Sequence, residues 1–378
     1  MRIVYIIISL ENHGAQKILY NLVKRIDKNM FKIHIVSIKE KCDLYDEFRD
    51  INCTIESLNV SNNLFNPIAF IRLFKILRRV QPDVVHTWMY HSDFFGGIVA
   101  KLLKVPVIIW SIRSADFFNK TTPILTRFLV KLCALTSKFI PDIILTNSSK
   151  GLDVHKSYGY DNSKLKIINN GVDLKKFKQS IKLKEKYKKK IGIQNNFPVI
   201  GLIGRFDELK NHSGFIEAAF KIKSKVPDAN FIMAGDNVDY NNRYIMSLLN
   251  KYKLNDCFFL LGSQGDVENI IRLLDVLVIS SSSEAFPNVM LEAFATEVHC
   301  ISTDVGDAKK ILGSCDWVVP VGDMQGIANK CCNFLMKSEI EKNKLKSFFL
   351  EKAKNYYSIE KMVIEYQDLY LTNFKSKI

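Results

Sequence analysis

Residues 276–293 read VLVISSSSEAFPNVMLEA, and this stretch indicates the fold of the second half of the chain. It begins with an uninterrupted aliphatic run, which is typical of a strand buried on both faces of a parallel sheet. Polar residues follow, and Pro287 is expected in the first turn of a helix, where its missing N–H costs no hydrogen bond. The stretch therefore predicts a buried strand, a loop and a helix in succession.

The same alternation of buried strands and amphipathic helices extends outward over the whole chain. Further strands are predicted at 198–204, 230–234, 257–261 and 299–302, and in the first half at 3–9, 32–37, 54–58, 84–87, 107–111 and 143–146. This order predicts two doubly wound α/β domains, whose ligands bind beyond the carboxyl ends of the strands. We expect an N-terminal domain at 1–175, a C-terminal domain at 176–357 and a final helix at 358–378 that packs back on the first domain.

Composition narrows the class of protein. The chain has 378 residues, of which 47% are hydrophobic, so each half can bury a core. The eight cysteines show no metal-ligand or disulfide spacing, and no run approaches the length of a transmembrane helix, so we expect a cytoplasmic protein that does not cross the membrane. The net charge of +15 favours an anionic partner, and the absence of nucleic-acid-binding motifs excludes nucleic acid from that role.

Two carboxylates make the 276–293 stretch a candidate ligand-binding site. Glu284 precedes the predicted helix and Glu292 lies about two turns along it, so the two acids project at different depths. Backbone N–H groups of residues 286–289 form a helix N-terminus, which suits an anion or a polyhydroxyl ligand. A sugar joined to a ribosyl phosphate would use both features, because its hydroxyls donate hydrogen bonds to carboxylates. The alternative interpretation is a loop acid followed by a surface helix acid.

The spacing of Glu284 and Glu292 resembles the EX7E signature of the retaining glycosyltransferases of family four, which adopt the GT-B fold. Other landmarks of that family follow in the expected order: Asn12–Gln16 resembles its glycine loop, Pro82–Thr87 its fourth-strand motif, Asn170–Asp173 its inter-domain turn, and Gly204-Arg205 with Lys210 its diphosphate-binding pair. The resemblance covers nearly the whole chain. It implies two Rossmann-like domains that face each other across a cleft.

The resemblance also implies roles for individual residues. Arg205 and Lys210 would stabilise the negative charge that grows on the departing diphosphate, and Glu284 would contact the donor sugar as the third catalytic residue. Glu292 would bind the ribose, and Gly14 would let the N-terminal backbone approach the diphosphate. The remaining donor-binding residues implied are Gly204, Gly262, Asp266, Val267, Phe286, Pro287, Asn288 and Val289.

The sequence departs from the family pattern in the first domain. His13 stands where relatives often have a second glycine, and Arg113 stands near the place of a histidine that contacts the donor sugar. An arginine stays protonated, so Arg113 could contact a sugar or a phosphate but could not shuttle a proton. His86 and His91 are further candidates for sugar or acceptor contacts, and a structural role for each is the alternative.

The predicted reaction is the transfer of a sugar from a UDP-sugar, a UDP-N-acetylhexosamine or a UDP-hexose, to a lipid-linked saccharide in surface-polysaccharide assembly. No cofactor and no metal are expected, since relatives need none and the sequence lacks an Asp-x-Asp motif. The basic helices predicted at 68–80 and 123–138 are candidates for contact with an anionic membrane, although 68–80 also fits an ordinary helix that packs on the sheet. Two alternatives remain, a GT-B-fold UDP-N-acetylglucosamine epimerase and a basic binding protein without activity.

Overall fold

A computed structural model describes residues 1–11, 13–40, 43–60, 67–114, 122–193 and 197–377. The chain divides into two compact units, which we name unit 1 (Met1–Gly171 with Ile359–Ile378) and unit 2 (Val172–Ser358). Each unit is an α/β structure built on one parallel sheet. The predicted fold class, two doubly wound α/β domains, is confirmed.

Unit 1 contains a seven-stranded sheet in the order β3-β2-β1-β4-β5-β6-β7. Its strands are β1 Arg2–Ile7, β2 Lys32–Ser37, β3 Thr54–Ser57, β4 Val84–Trp88, β5 Val107–Ile112, β6 Ile143–Thr146 and β7 Leu165–Ile167. Its helices are α1 Gly14–Arg25, α2 Tyr45–Arg49, α3 Pro67–Val80, α4 Tyr90–Leu102, α5 Ile124–Thr136, α6 Ser149–Ser157 and, at the end of the chain, α15 Ile359–Lys375.

The apolar run of β1 is explained by two separate cores. Ile3, Tyr5 and Ile7 belong to the core on one face of the sheet, while Val4 and Ile6 belong to the core on the other face. Successive side chains of a strand point to opposite faces, so a strand covered on both sides has no polar positions. The final helix, α15, packs into the first of these cores, as the sequence predicted.

Unit 2 contains a six-stranded sheet in the order β10-β9-β8-β11-β12-β13. Its strands are β8 Val199–Ile203, β9 Asn230–Ala234, β10 Phe258–Leu260, β11 Val276–Ile279, β12 His299–Thr303 and β13 Val318–Val319. Its helices are α7 Ile181–Ile191, α8 His212–Lys223, α9 Arg243–Tyr252, α10 Val267–Leu273, α11 Asn288–Ala295, α12 Ala308–Leu312, α13 Met324–Leu335 and α14 Glu339–Tyr356, with short 3₁₀ turns at Glu208–Lys210 and Asn255–Cys257.

The strand order of unit 2 places a topological switch point between β8 and β11, where the direction of strand succession reverses. Loops that follow the two strands at such a point diverge and leave a crevice, which is where doubly wound sheets bind their ligands. The loop after β8 carries Gly204, Arg205 and Lys210, and the loop after β11 carries Glu284. The sequence-predicted site residues of unit 2 therefore converge on its switch point.

Candidate active site at the switch point of unit 2

The loops after β8 and β11 are joined by hydrogen bonds. The Ser280 hydroxyl donates to the carbonyl oxygens of Lys210 and Asn211, both at 3.0 Å, and Ser282 N donates to Leu209 O at 2.8 Å. Asn211 adopts a left-handed conformation (φ +53°), and its side chain accepts from Gly214 N to cap α8. These bonds fix the short turn that carries Lys210 against the start of the loop that carries Glu284.

Lys210 and Glu284 form an ion pair at the centre of the site. Lys210 Nζ lies 2.5 Å from Glu284 Oε1, and the Ser281 hydroxyl donates to the same oxygen at 2.8 Å. The pair borders a small pocket lined by Leu202, Ile203, Lys210, Val278, Ile279, Ser280, Ser281, Glu284 and Val289. Since both side chains are mostly buried, their charges are screened less than those of a surface pair.

Arg205 provides a second cation on the same loop. Its Nε and one terminal nitrogen donate to Asp207 Oδ2 at 3.1 and 2.9 Å, and about half of the side chain is exposed. Gly204 precedes it, and a methyl group at Gly204 would lie 3.4 Å from Lys210 Cδ. The structure therefore brings together Gly204, Arg205, Lys210 and Glu284, as the sequence indicated.

Helix α11 begins one residue later than the sequence suggested. Pro287 is the residue that precedes the helix, with ψ +89°, and Asn288 is the first helical residue. The expectation that Pro287 lies in the first turn is therefore wrong by one position, a usual margin for a helix end. Glu292 is the fifth residue of α11 and lies about one turn along it, so the expectation of about two turns is also wrong. Phe286 is buried, while Asn288, Val289 and Glu292 are half-buried.

Three further residues predicted to bind the donor, Gly262, Asp266 and Val267, follow β10, the strand at the edge of the sheet. Gly262 follows β10 with φ +64° and its carbonyl accepts from Gly235 N, whose own strand, β9, adjoins β8. Asp266 precedes α10, and its carboxylate accepts a hydrogen bond from the Tyr187 hydroxyl, which lowers the pKa of Asp266. Val267 is the first residue of α10.

In unit 1, Gly14 is the first residue of α1 and lies at the surface. His13 has φ −115° and ψ 171°, an extended backbone that any residue can adopt, so the histidine does not require the conformation of a glycine. Asn12, the first residue of the predicted glycine loop, lies outside the described residues.

The three other candidates of unit 1 differ in burial. His86 is fully buried in β4, and its Nδ1 lies 2.9 Å from the Tyr370 hydroxyl of α15, which favours the structural role over sugar contact. Arg113 donates to Asn170 Oδ1 at 2.9 Å and to the Tyr366 hydroxyl at 2.6 Å, and its guanidinium stacks on Trp88. His91, near the start of α4, has a pKa lowered by burial and by the charge of Lys39.

Three residues that support the site were not predicted. Asp207 accepts the hydrogen bonds of Arg205. Gly235 and Gly306 lie against the active loops so closely that a methyl group would meet Gly204 O at 2.1 Å and Ala285 O at 2.5 Å. The two glycine contacts join segments far apart in the sequence, although a glycine that follows a predicted strand was a local signal for such close approach. The contact of Asp207 is local, between residues two positions apart.

Two protein-family models match the chain, one in each half. The model described as Glycosyltransferase Family 4 matches residues 12–176, and the model described as Glycosyl transferases group 1 matches residues 183–348. Together they account for most of the chain, and the second contains all the residues of the switch-point site. The predicted membership is confirmed: the chain is a glycosyltransferase of family four.

Individual relatives agree with this assignment. The chain is 28% identical to the UDP-Gal:alpha-D-GlcNAc-diphosphoundecaprenol alpha-1,3-galactosyltransferase of Escherichia coli, over 80% of this chain and 79% of that protein. It is 26% identical to the N,N'-diacetylbacillosaminyl-diphospho-undecaprenol alpha-1,3-N-acetylgalactosaminyltransferase of Campylobacter jejuni, over 68% of this chain and 69% of that protein. The crystal structure of Anabaena HepE in complex with UDP has the same fold, with a TM-score of 0.85 over 98% of this chain and 100% of that chain at 16% identity.

Proposed function

We propose that this glycosyltransferase moves a hexose or N-acetylhexosamine from a UDP-sugar to a saccharide carried on a polyprenyl diphosphate lipid, with retention of the anomeric configuration and without a metal ion. The observation that carries the proposal is the pairing of Lys210 with Glu284 at the switch point, with Arg205 on the same loop. Two relatives are named for transfer to a diphosphoundecaprenol-linked sugar, and HepE is a fold neighbour with UDP bound. The product would extend a glycan of the cell surface.

The arrangement suits the departure of a nucleoside diphosphate. When the bond between the sugar and the β-phosphate breaks, its electron pair passes to the phosphate oxygen, and Lys210 and Arg205 stabilise that charge. The acceptor hydroxyl attacks from the same face, and its proton passes to the departing phosphate. Glu284 would orient the donor sugar, and Glu292, one turn into α11, would bind the ribose hydroxyls.

A transfer assay tests this proposal. The expected result is transfer from one of the common UDP-sugars to a polyprenyl diphosphate saccharide in the presence of EDTA, with the product linkage of the same configuration as the donor by NMR. An absolute requirement for a divalent metal, or inversion, would contradict the mechanism. Conversion of UDP-N-acetylglucosamine without acceptor would favour an epimerase, and failure to bind UDP at millimolar concentration would favour a binding protein without activity.

An acceptor on a lipid requires the enzyme to reach a membrane, and α5 offers a suitable surface. Ile124, Phe128 and Leu135 lie on one face of this helix and are 84%, 53% and 63% exposed. The exposed Lys131 continues the same face, and the exposed Lys138 follows the end of the helix. Helix α4 packs beside α5 with Lys101 near its end. We infer that this apolar and basic face lies on the anionic inner surface of the cytoplasmic membrane.

Helix α3, the other candidate, resembles an ordinary packed helix more closely. Leu73, Ile76 and Leu77 are buried in the core beneath it, as the alternative interpretation predicted. Within the described ranges of the chain, no helix is long and apolar enough to cross a membrane. The proposed association is therefore peripheral and rests on α5.

Vesicle flotation tests the membrane proposal. The protein should bind vesicles that contain phosphatidylglycerol and should dissociate as the salt concentration rises, because screening weakens the attraction of lysines to anionic headgroups. Phe128→Ser with Leu135→Ser should abolish binding without changing UDP affinity. The matched control, Ile340→Ser with Phe348→Ser, replaces exposed apolar residues of α14 in unit 2 and should bind like wild type. Equal binding of vesicles by the α5 double variant and the α14 double variant would overturn the proposal.

A further inference from the structure

Asp207 lies between the two cations of the active site in the sequence and contacts the segments of both. Its Oδ2 accepts the hydrogen bonds of the Arg205 guanidinium, at 2.9 and 3.1 Å. Its Oδ1 accepts from Leu209 N at 3.0 Å, inside the turn that carries Lys210. One carboxylate therefore uses a different oxygen for each of the two segments.

The contact through Oδ1 is a helix cap. Asp207 has an extended backbone (φ −154°, ψ 141°) and directly precedes the 3₁₀ turn Glu208–Lys210. The first N–H groups of a helical turn lack partners within the turn, and an aspartate before the turn supplies one. Lys210 N in addition donates to Asp207 O at 3.0 Å. The position of Lys210 therefore depends on Asp207 through the turn.

The contact through Oδ2 restricts a side chain that is otherwise mobile. About half of Arg205 is exposed, and an exposed arginine has many rotamers of similar energy. The hydrogen bonds to Asp207 restrict the guanidinium to a position beside this carboxylate. Although burial acts to raise the pKa of Asp207, the hydrogen bonds from Leu209 N and Arg205 keep that pKa below its ordinary value. The carboxylate is consequently ionised throughout the neutral range.

We propose that Asp207 is a positioning residue that orders both diphosphate-binding cations, Arg205 through one oxygen and the Lys210 turn through the other. The proposal rests on the proposed function, since it assumes that the two cations act on a diphosphate. Order of this kind raises the rate more than the affinity for the ground state, because the full charge of the leaving group appears only in the transition state. The negative charge of Asp207 also opposes the binding of a free diphosphate.

Two variants distinguish the contacts made by the two carboxylate oxygens of Asp207. Asp207→Ser keeps a hydroxyl that can cap Leu209 N but cannot reach Arg205, whereas Asp207→Ala removes both contacts. We expect Asp207→Ser to lower kcat by about 10- to 100-fold, the usual effect of a misplaced catalytic group. The affinity for UDP, measured by calorimetry, should be unchanged or higher, and Asp207→Ala should lower kcat further. The matched control is Glu208→Ser, which removes the same charge one residue along from an exposed position and should leave kcat near that of wild type.

A double-mutant cycle tests whether Asp207 acts through Arg205. In an Arg205→Ala background, Asp207→Ser should cause no further loss of kcat, while Asp207→Ala should still cause one through the turn of Lys210. Independent, multiplicative losses from Arg205→Ala and Asp207→Ser would overturn the proposal, and so would equal losses of kcat and UDP affinity. Failure of the proposed function is distinguishable, because wild type itself would then transfer no sugar from a UDP-sugar to the lipid-linked acceptor, and no variant would have a kcat to compare.

Discussion

At the scale of single residues, the pair of Lys210 with Glu284 is the most informative contact of the active site. A carboxylate 2.5 Å from the ammonium group holds it at the switch point before any donor arrives. A diphosphate that enters the site must then compete with Glu284 for the lysine. The ion pair therefore positions Lys210 while reducing its attraction for ground-state anions, which favours turnover over tight binding.

Replacement of Lys210 should show this directly. Lys210→Ala should lower kcat by raising the activation free energy by about 2–4 kcal/mol, which is comparable to the effect of removing one electrostatic stabiliser in other enzymes. The measurement is kcat and kcat/KM with the best UDP-sugar. Lys221→Ala provides the control, because that lysine is also ion-paired, to Glu217 at 3.5 Å on α8, outside the site. Similar losses in both variants would contradict the assignment.

His299 permits a prediction about acid stability. Its ring is fully buried, stacks on Phe334 with 4.0 Å between centroids, and neither ring nitrogen has a hydrogen-bond partner among the described residues. Burial lowers the pKa of His299 to about 3. Because the unfolded ring binds a proton below about pH 6.5 and the folded ring does not, stability falls as the pH falls from 6.5 towards 3.

Substitution by phenylalanine should remove this dependence. His299→Phe keeps a flat ring against Phe334 and abolishes the titration. The free energy of unfolding of the variant minus that of wild type should therefore be about 2 kcal/mol larger at pH 5 than at pH 7. His155 is the contrasting case, because its nitrogens contact the Tyr90 hydroxyl at 2.8 Å and Gly151 O at 2.7 Å. His155→Phe should be destabilised by about 1–3 kcal/mol at pH 7. Urea unfolding at both pH values measures these differences, and a pH-independent effect of His299→Phe would contradict the first.

At the scale of structural elements, the turn between β12 and α12 supports the Glu284 loop. Gly306 in this turn has φ +52°, and a methyl group there would lie 2.5 Å from Ala285 O and 2.7 Å from Glu284 O. From the end of β12, the Thr303 hydroxyl donates to Ser281 O at 2.6 Å. The position of the Glu284 loop therefore depends on its contacts with the end of β12 and with the turn that follows β12.

Gly306→Ala should displace the Glu284 loop, since backbone oxygens cannot move aside as the end of a flexible side chain can. We expect weaker UDP binding and lower turnover together with a loss of stability. Gly322→Ala is the matched control, because Gly322 also has positive φ (+87°) but no atom within 4 Å of the added methyl group. It should lose about as much stability from backbone strain and keep its activity. Unimpaired UDP binding by Gly306→Ala would contradict this account.

The sequence predicted the inner strands of both sheets but missed one short edge strand in each. The bounds of β2, β6 and β9 agree with the prediction, because polar or turn-forming residues border a mostly apolar run in each. The edge strands β7 and β13 were not predicted, since two or three residues give no periodic signal. The contacts of Gly306 were not predictable either, because they depend on which segments the fold brings together, whereas Arg205, Lys210 and Glu284 belong to a pattern visible in the sequence.

At the scale of the whole molecule, the path of the chain makes the two units unequal. Unit 2 is continuous, from Val172 to Ser358, and contains its own core and every residue of the switch-point site. Unit 1 consists of two segments, and its second segment, α15, supplies five fully or nearly fully buried side chains: Ile359, Met362, Val363, Tyr366 and Tyr370. Unit 1 is therefore complete only when the end of the chain has been added.

Truncation of the chain should show that unit 1 requires α15 to fold, whereas unit 2 does not. Burial of an apolar side chain stabilises a fold by about 1.5–3 kcal/mol, so loss of α15 removes about 10 kcal/mol from a domain whose total stability is about 5–15 kcal/mol. Loss of Tyr370 also leaves the buried Tyr5 hydroxyl and His86 Nδ1 without their partner. A chain that ends at Ser358 should lose the folded structure of unit 1, whereas residues 172–358 alone should fold and bind UDP without transferring sugar. Calorimetric unfolding and UDP titration of both fragments measure this. If the isolated unit 2 failed to bind UDP while the full chain bound it, donor recognition would require unit 1 as well, and the switch-point residues alone would not define the donor site.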